Sequence, residues 1–212
     1  MVWLTGSHAD SIVNDAIGFM PQTNRWDLGV INGEEIQIAV REDSRSRAIY
    51  LVFKKSVTGG GRDKFEAIAA SAGARNIGST ALETYRISRG IASRGRELTD
   101  AFNPYEAGLR ETISFTKGCY IGQEVIARLD TYQKIKRKLI GLDFREGSPG
   151  HQPQSLLKFG KEIGLLTSVT PSTVRGRVFG LGIVIEADVA PGDELMTSIS
   201  GSQGVVKEFP LC

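Results

Sequence analysis

Residues 26–53 read WDLGVINGEEIQIAVREDSRSRAIYLVF, and their reading decides the first half of the fold. Three runs, 26–31, 35–41 and 48–53, alternate β-branched or aromatic residues with polar ones, the period of a half-buried strand. Between the first two stands Asn32-Gly33, a pair suited to the left-handed backbone of a tight hairpin turn. The stretch therefore predicts an antiparallel sheet. Working outward, Val2-Trp3-Leu4 reads as a further short strand, followed by Ser7 as N-cap of a helix reaching about Phe19. On the other side the run Gly59-Gly60-Gly61 breaks the strand pattern, and residues 63–72 place Phe65, Ile68, Ala69 and Ala72 at helical spacing. A sheet backed by helices is the expected sum.

Residues 79–89 predict another helix, capped by Ser79 or Thr80 and ended by Gly90. After Asn103-Pro104, residues 105–109 read as one further turn, and residues 122–129 as a short helix. From Lys138 onward the pattern changes to apolar runs broken by glycine and proline, at 139–144, 164–170, 178–185 and 194–199. Short strands at that spacing predict a small β-barrel or sandwich. The expectation is an α+β fold in two domains, residues 1–133 and 134–212.

With 212 residues, 41% hydrophobic and 24% charged, the chain can bury a core, and its net charge of +2 is too mild to imply a nucleic-acid or membrane surface. Two cysteines, Cys119 and Cys212, exclude a disulfide framework and suit a reducing compartment. The first twenty residues have neither a basic start nor a long apolar run, so the reading is a soluble, cytoplasmic protein. His8 and His151 share no metal-ligand spacing with the cysteines, and no metal site is expected. G-x-S-x-G, G-x-x-x-x-G-K-[ST] and H-E-x-x-H patterns are all missing.

The chemistry concentrates around Cys119. It stands between Gly118 and Tyr120, two residues after Lys117 and just ahead of the predicted helix, where an ammonium and a helix N-terminus both favour a thiolate. A buried, inert cysteine fits the same residues. Gln123 and Glu124 fall in the helix's first turn, as ligand contacts or as capping groups. Residues 117–138 hold six basic side chains (Lys117, Arg128, Lys134, Lys136, Arg137, Lys138) against two acidic ones. That balance suits an anionic partner, or a strand edge protected by lysines. Arg86, Arg89, Arg94 and Arg96 form a second basic run, open to an anion or to solvent.

The segment 117–124, KGCYIGQE, resembles the K-G-C-[FY]-x-G-Q-E signature of the YgfZ family, within the folate-binding superfamily of the glycine-cleavage T-protein. Leu82-Glu83-Thr84-Tyr85-Arg86-Ile87 with Gly90 is similar to that superfamily's L-E-x-x-R-I-x-x-G helix, and residues 103–109, NPYEAGL, to its N-P-x-E-A-G-L segment. Residues 160–167 and 176–185 resemble its C-terminal barrel. The resemblance implies a tetrahydrofolate-binding protein, whose folate can carry a polyglutamate tail. It also implies an accessory role in iron-sulfur cluster assembly or repair, with iron-sulfur client or assembly proteins as partners. By position it makes Cys119 the reactive thiol and Lys117, Arg86, Tyr120, Gln123 and Glu124 the folate contacts. Residues 2–6 resemble a strand that lies well inside full-length relatives, so the chain is expected to begin after the first part of their folate-binding region. The acidic residue implicated in T-protein aminomethyl transfer belongs to that part, and T-proteins lack the cysteine motif. An intact aminomethyltransferase is therefore not expected. A folate-dependent one-carbon transferase and a nucleic-acid-binding module are the rival readings.

Overall fold

The computed structural model describes residues 1–54, 60–131, 135–144, 149–150, 152–171 and 173–211. Gly59, Lys134, His151, Cys212 and the domain boundary expected at 133/134 lie outside them. The fold is α+β, as expected: a four-stranded antiparallel sheet with helices, then a closed six-stranded antiparallel barrel. Two compact units divide the chain at residues 77 and 78.

In the first unit β1 (Val2–Leu4), β2 (Trp26–Ile31), β3 (Glu34–Glu42) and β4 (Arg47–Phe53) form a sheet in the order β1-β4-β3-β2. Asn32 and Gly33 both take positive φ, 54° and 76°, which makes the hairpin turn that the pair predicts. The second hairpin is closed by Asp43, whose Oδ1 accepts the backbone N–H groups of Arg45 and Ser46 at 2.9 and 2.8 Å. Alternate residues Ile36, Ile38, Val40, Ile49 and Leu51 point to one face. There they pack with Ile12 and Val13 of α1 (Ala9–Ile17) and Phe65 of α2 (Gly61–Ser71). Gly29 lets the helix layer pack closely, because a Cβ there would stand 2.8 Å from the Ile38 Cδ1 and 3.4 Å from the Ile17 Cγ2.

Helix starts are where the expectations fail. Ser7 does not cap α1: His8 holds that position without a side-chain bond, and the Ala9 N–H is met by the Gly6 carbonyl at 3.1 Å. Likewise Gly78, not Ser79 or Thr80, precedes α3 (Ser79–Ser88). At α1 that backbone turn satisfies a donor that the Ser7 hydroxyl would have taken. The end of α3 is as predicted. Gly90 takes φ 67°, and the Ile91 N–H returns to the Arg86 carbonyl at 2.8 Å, the six-to-one bond of a Schellman stop.

In the second unit α3 and α4 (Gln123–Thr131) precede the barrel strands β5 (Arg137–Phe144), β6 (Gln154–Lys158), β7 (Lys161–Val169), β8 (Val178–Ile185), β9 (Glu194–Thr197) and β10 (Gln203–Lys207). The closed order is β10-β5-β8-β7-β6-β9. Strands β6 and β10 carry no signal that the sequence reading picked out. Ile140, Leu142, Phe144, Leu156, Leu166 and Val184 are among the residues filling the interior. On the outside, Leu139, Phe179, Leu181 and Ile183 bury against Ile87 of α3, with Phe209 and Leu211 of the tail packed alongside. Strands β5 and β8 are thus covered on both faces, which explains their nearly unbroken apolar runs.

Candidate functional site

The motif residues lie in the second unit, on the turn that leads into α4. Gly122 takes φ 88°, the Gln123 N–H bonds the Tyr120 carbonyl at 3.2 Å, and the first helical bond runs from the Ile126 N–H to the Gly122 carbonyl. Only glycine adopts that φ without strain, so Gly122 sets the angle at which the turn enters the helix. Cys119 is an exposed free thiol, so the buried, inert alternative does not hold. It precedes the first residue of α4 by four positions, further from the helix start than the sequence suggested. The Lys117 ammonium stands 4.6 Å from the centre of the Tyr120 ring, a cation–π contact, and its backbone N–H bonds Ser114 Oγ at 3.2 Å. Gln123, half-buried, and Glu124, exposed, occupy the first turn of α4.

The segment 103–110 is linked to the helix that follows the turn. Asn103 and Glu106 cap each other: the Asn103 N–H donates to Glu106 Oε2 and the Glu106 N–H to Asn103 Oδ1, both at 3.1 Å. With Pro104 between them this is a capping box, legible in the sequence as N-P-x-E. Arg110 then bridges to Asp130 near the end of α4 at 3.0 Å, with its guanidinium 5.7 Å from the centre of the Tyr105 ring. Burial, and next the Asp130 carboxylate, hold the Tyr105 phenol above its ordinary pKa. No residue of α4 is fully buried, and this largely exposed ion pair is one link between the helix and the preceding segment.

Arg86 lies not on the turn but in α3, and its donors have partners within the protein. It is buried in α3, and all five of its N–H groups are engaged within the protein: two by the Glu83 carboxylate, one by Glu97 Oε2 at 3.2 Å, one by the Ile91 carbonyl at 3.1 Å and one by Ser168 Oγ at 2.8 Å. Glu97, which the sequence reading passed over, has no exposed surface. Besides Arg86, its carboxylate accepts the Ser93 N–H and the hydroxyls of Thr167 and Ser168 on β7. A buried ion pair satisfied this fully is a brace between α3 and the barrel. Other cations of the basic runs are also engaged. Arg96 donates to the Thr167 carbonyl, Arg137 lies over the Phe102 ring, and Lys138 donates to the Val189 carbonyl at 2.8 Å. Of the cations in residues 117–138, Arg137 and Lys138 thus have partners within the protein.

A cavity of about 80 Å³ lies in the first unit, lined by Val2, Trp3, Leu4, Phe65, Ala69 and Arg75 among others, well below the volume of a cofactor pocket. Among the described residues no group of three His, Cys, Asp or Glu could hold a metal, and no helix is long and apolar enough to cross a membrane.

No family model matches the chain. It is 41% identical over 138 residues to a protein of Arabidopsis thaliana named "Putative transferase At1g60990, chloroplastic", covering 65% of this chain and 31% of that one. An aminomethyltransferase of Phocaeicola vulgatus is 33% identical over 138 residues, with 65% and 38% covered, and one of Listeria welshimeri 35% over 137, with 64% and 37%. The chain thus spans about a third of the length of these curated relatives. The crystal structure of the glycine cleavage system aminomethyltransferase T of Bartonella henselae superposes with a TM-score of 0.70 at 19% identity, over 96% of this chain and 57% of that one. Sequence and fold together relate the chain, over part of its members' length, to the aminomethyltransferase superfamily of the glycine-cleavage T-protein.

Proposed function

We propose that the chain is a tetrahydrofolate-binding protein of the YgfZ type, serving iron-sulfur cluster assembly or repair, with the turn 117–124 as its reactive site. The observation that carries this reading is the placement of an exposed thiol, an ammonium and an aromatic ring on one glycine-bounded turn. These groups suit the ligand. The Tyr120 ring offers a face to a planar heterocycle, Lys117 can pair with a glutamate carboxylate of the folate tail, and Gln123 has an amide for polar ring edges. Bound tetrahydrofolate would supply a carrier for one-carbon units. Cys119 supplies a nucleophilic sulfur when ionised, and Glu124 a carboxylate in the first turn of the following helix. Arg86 serves indirectly, by bracing α3. A reducing compartment suits both a free thiol and a reduced folate. The cytoplasm is one, and the name of the Arabidopsis relative assigns that protein to the chloroplast.

Anaerobic calorimetry with tetrahydrofolate tests the reading. Saturable binding that weakens by about tenfold in Lys117→Ala, the loss of one exposed charge-assisted contact, supports it. Cys119→Ala separates a thiol needed for binding from one needed only afterwards. A folded parent that binds no folate ends the proposal. The aminomethyltransferase relatives favour a second reading, a one-carbon transferase, which tetrahydrofolate-dependent turnover of an aminomethyl donor would establish.

A further inference from the structure

The sheet of the first unit ends at β2, and among the described residues no strand pairs with the outer edge of β2. Edge strands are ordinarily guarded by a lysine, a proline, a bulge or a covering element. β2 has none of the first three. Its six residues WDLGVI pair with β3 in unbroken register. Its one charge, Asp27, lies on the helix-facing side, where Oδ2 accepts the Gln22 N–H at 2.8 Å. The opposite side carries Trp26, Leu28 and Val30, which are 63%, 61% and 59% exposed. By register Trp26 continues a row through Ala39 and Tyr50 to Trp3, whose ring stacks on Tyr50 at 5.9 Å. Three large apolar side chains in line on an unguarded edge mark a docking surface.

We propose that β2 pairs antiparallel with β2 of a second copy about a two-fold axis through Leu28, extending the sheet from four strands to eight. Leu28 then faces Leu28, Trp26 faces Val30, and Asp27 faces Gly29. The register is self-complementary in size and in charge: large lies opposite small, and neither carboxylate opposes the other, as a two-fold interface demands. That complementarity favours a second copy over a foreign strand. The three side chains expose on the order of 400 Å² per copy, about half of what a partner buries in a standard complex, and the new backbone ladder adds to it. The dimer is therefore a weak one, with a dissociation constant in the micromolar range.

Sedimentation velocity of the full chain over a wide concentration series reads this directly. A reversible monomer–dimer equilibrium is expected, weakened about 100-fold or more in Leu28→Lys, which sets two ammonium groups against each other on the axis. Circular dichroism checks that this variant is folded. Register is read by mild oxidation in a Cys119→Ser, Cys212→Ser background. Leu28→Cys crosslinks readily to itself, whereas Trp26→Cys, which faces Val30, does so far more slowly. A chain monomeric at every concentration overturns the proposal and leaves the edge to a strand of another polypeptide. So does a dimer indifferent to Leu28→Lys, or equal crosslinking by the two cysteine variants.

Discussion

Arg86 is buried among partners of its own chain. An arginine in a superfamily-like helix motif invites an anionic ligand, yet here every donor is engaged inside the protein, chiefly by Glu83 and by the fully buried Glu97. Arg86→Ala leaves the Glu97 carboxylate buried without its counter-charge. Equilibrium denaturation is expected to show a loss of about 3–5 kcal/mol. Replacing both partners with apolar residues, Arg86→Met with Glu97→Leu, is expected to cost less than the single change, because no unpaired charge is left behind. Glu97 was invisible in the sequence for a physical reason. Its hydroxyl partners are Thr167 and Ser168, some seventy positions along the chain, and no local periodicity reports such a pairing. Lys117, Cys119 and Tyr120 fall within four consecutive residues, so the sequence alone already brings them close together.

At the scale of the element, tight packing within the barrel explains a glycine that no turn requires. A Cβ on Gly164 of β7 would stand 2.2 Å from the Ile183 carbonyl oxygen and 2.6 Å from the Val184 Cα, both backbone atoms of the neighbouring strand. The strand cannot yield as a side chain would. Gly164→Ala is expected to lose about 3 kcal/mol or more by thermal or denaturant unfolding, at the upper end of overpacking. A loss under 1 kcal/mol would mean that β7 and β8 separate easily. Sequence patterning found β1, β2, β3, β4, β5, β7, β8 and β9 because each carries an alternating or continuous apolar run. It missed β6 and β10. β6 is short, has one polar end buried at Gln154, and shifts register against β7 between Leu156 and Leu157, which blurs its period of two. The start of α1 failed differently: the Gly6 carbonyl already takes the Ala9 N–H that a Ser7 cap would have met.

At the scale of the whole molecule, the sequence by itself determined the α+β class, the order of sheet and barrel, and the turn that carries the thiol. Hydrophobic period, the Asn32-Gly33 pair and glycine placement are local properties, and each acts within a few residues of where it is written. Tertiary structure alone decided the closure of the barrel through β6 and β10 and the burial of Arg86 against Glu97. It also decided the grouping of α3 with the barrel, in a unit beginning at Gly78. Only the tertiary structure shows that β2 stands at an edge, since a strand's sequence reports its faces but not its neighbours. The physical reason is common to all four. Each depends on which distant segments meet, and that is settled by burying many apolar surfaces together, at sequence separations where no spacing rule operates.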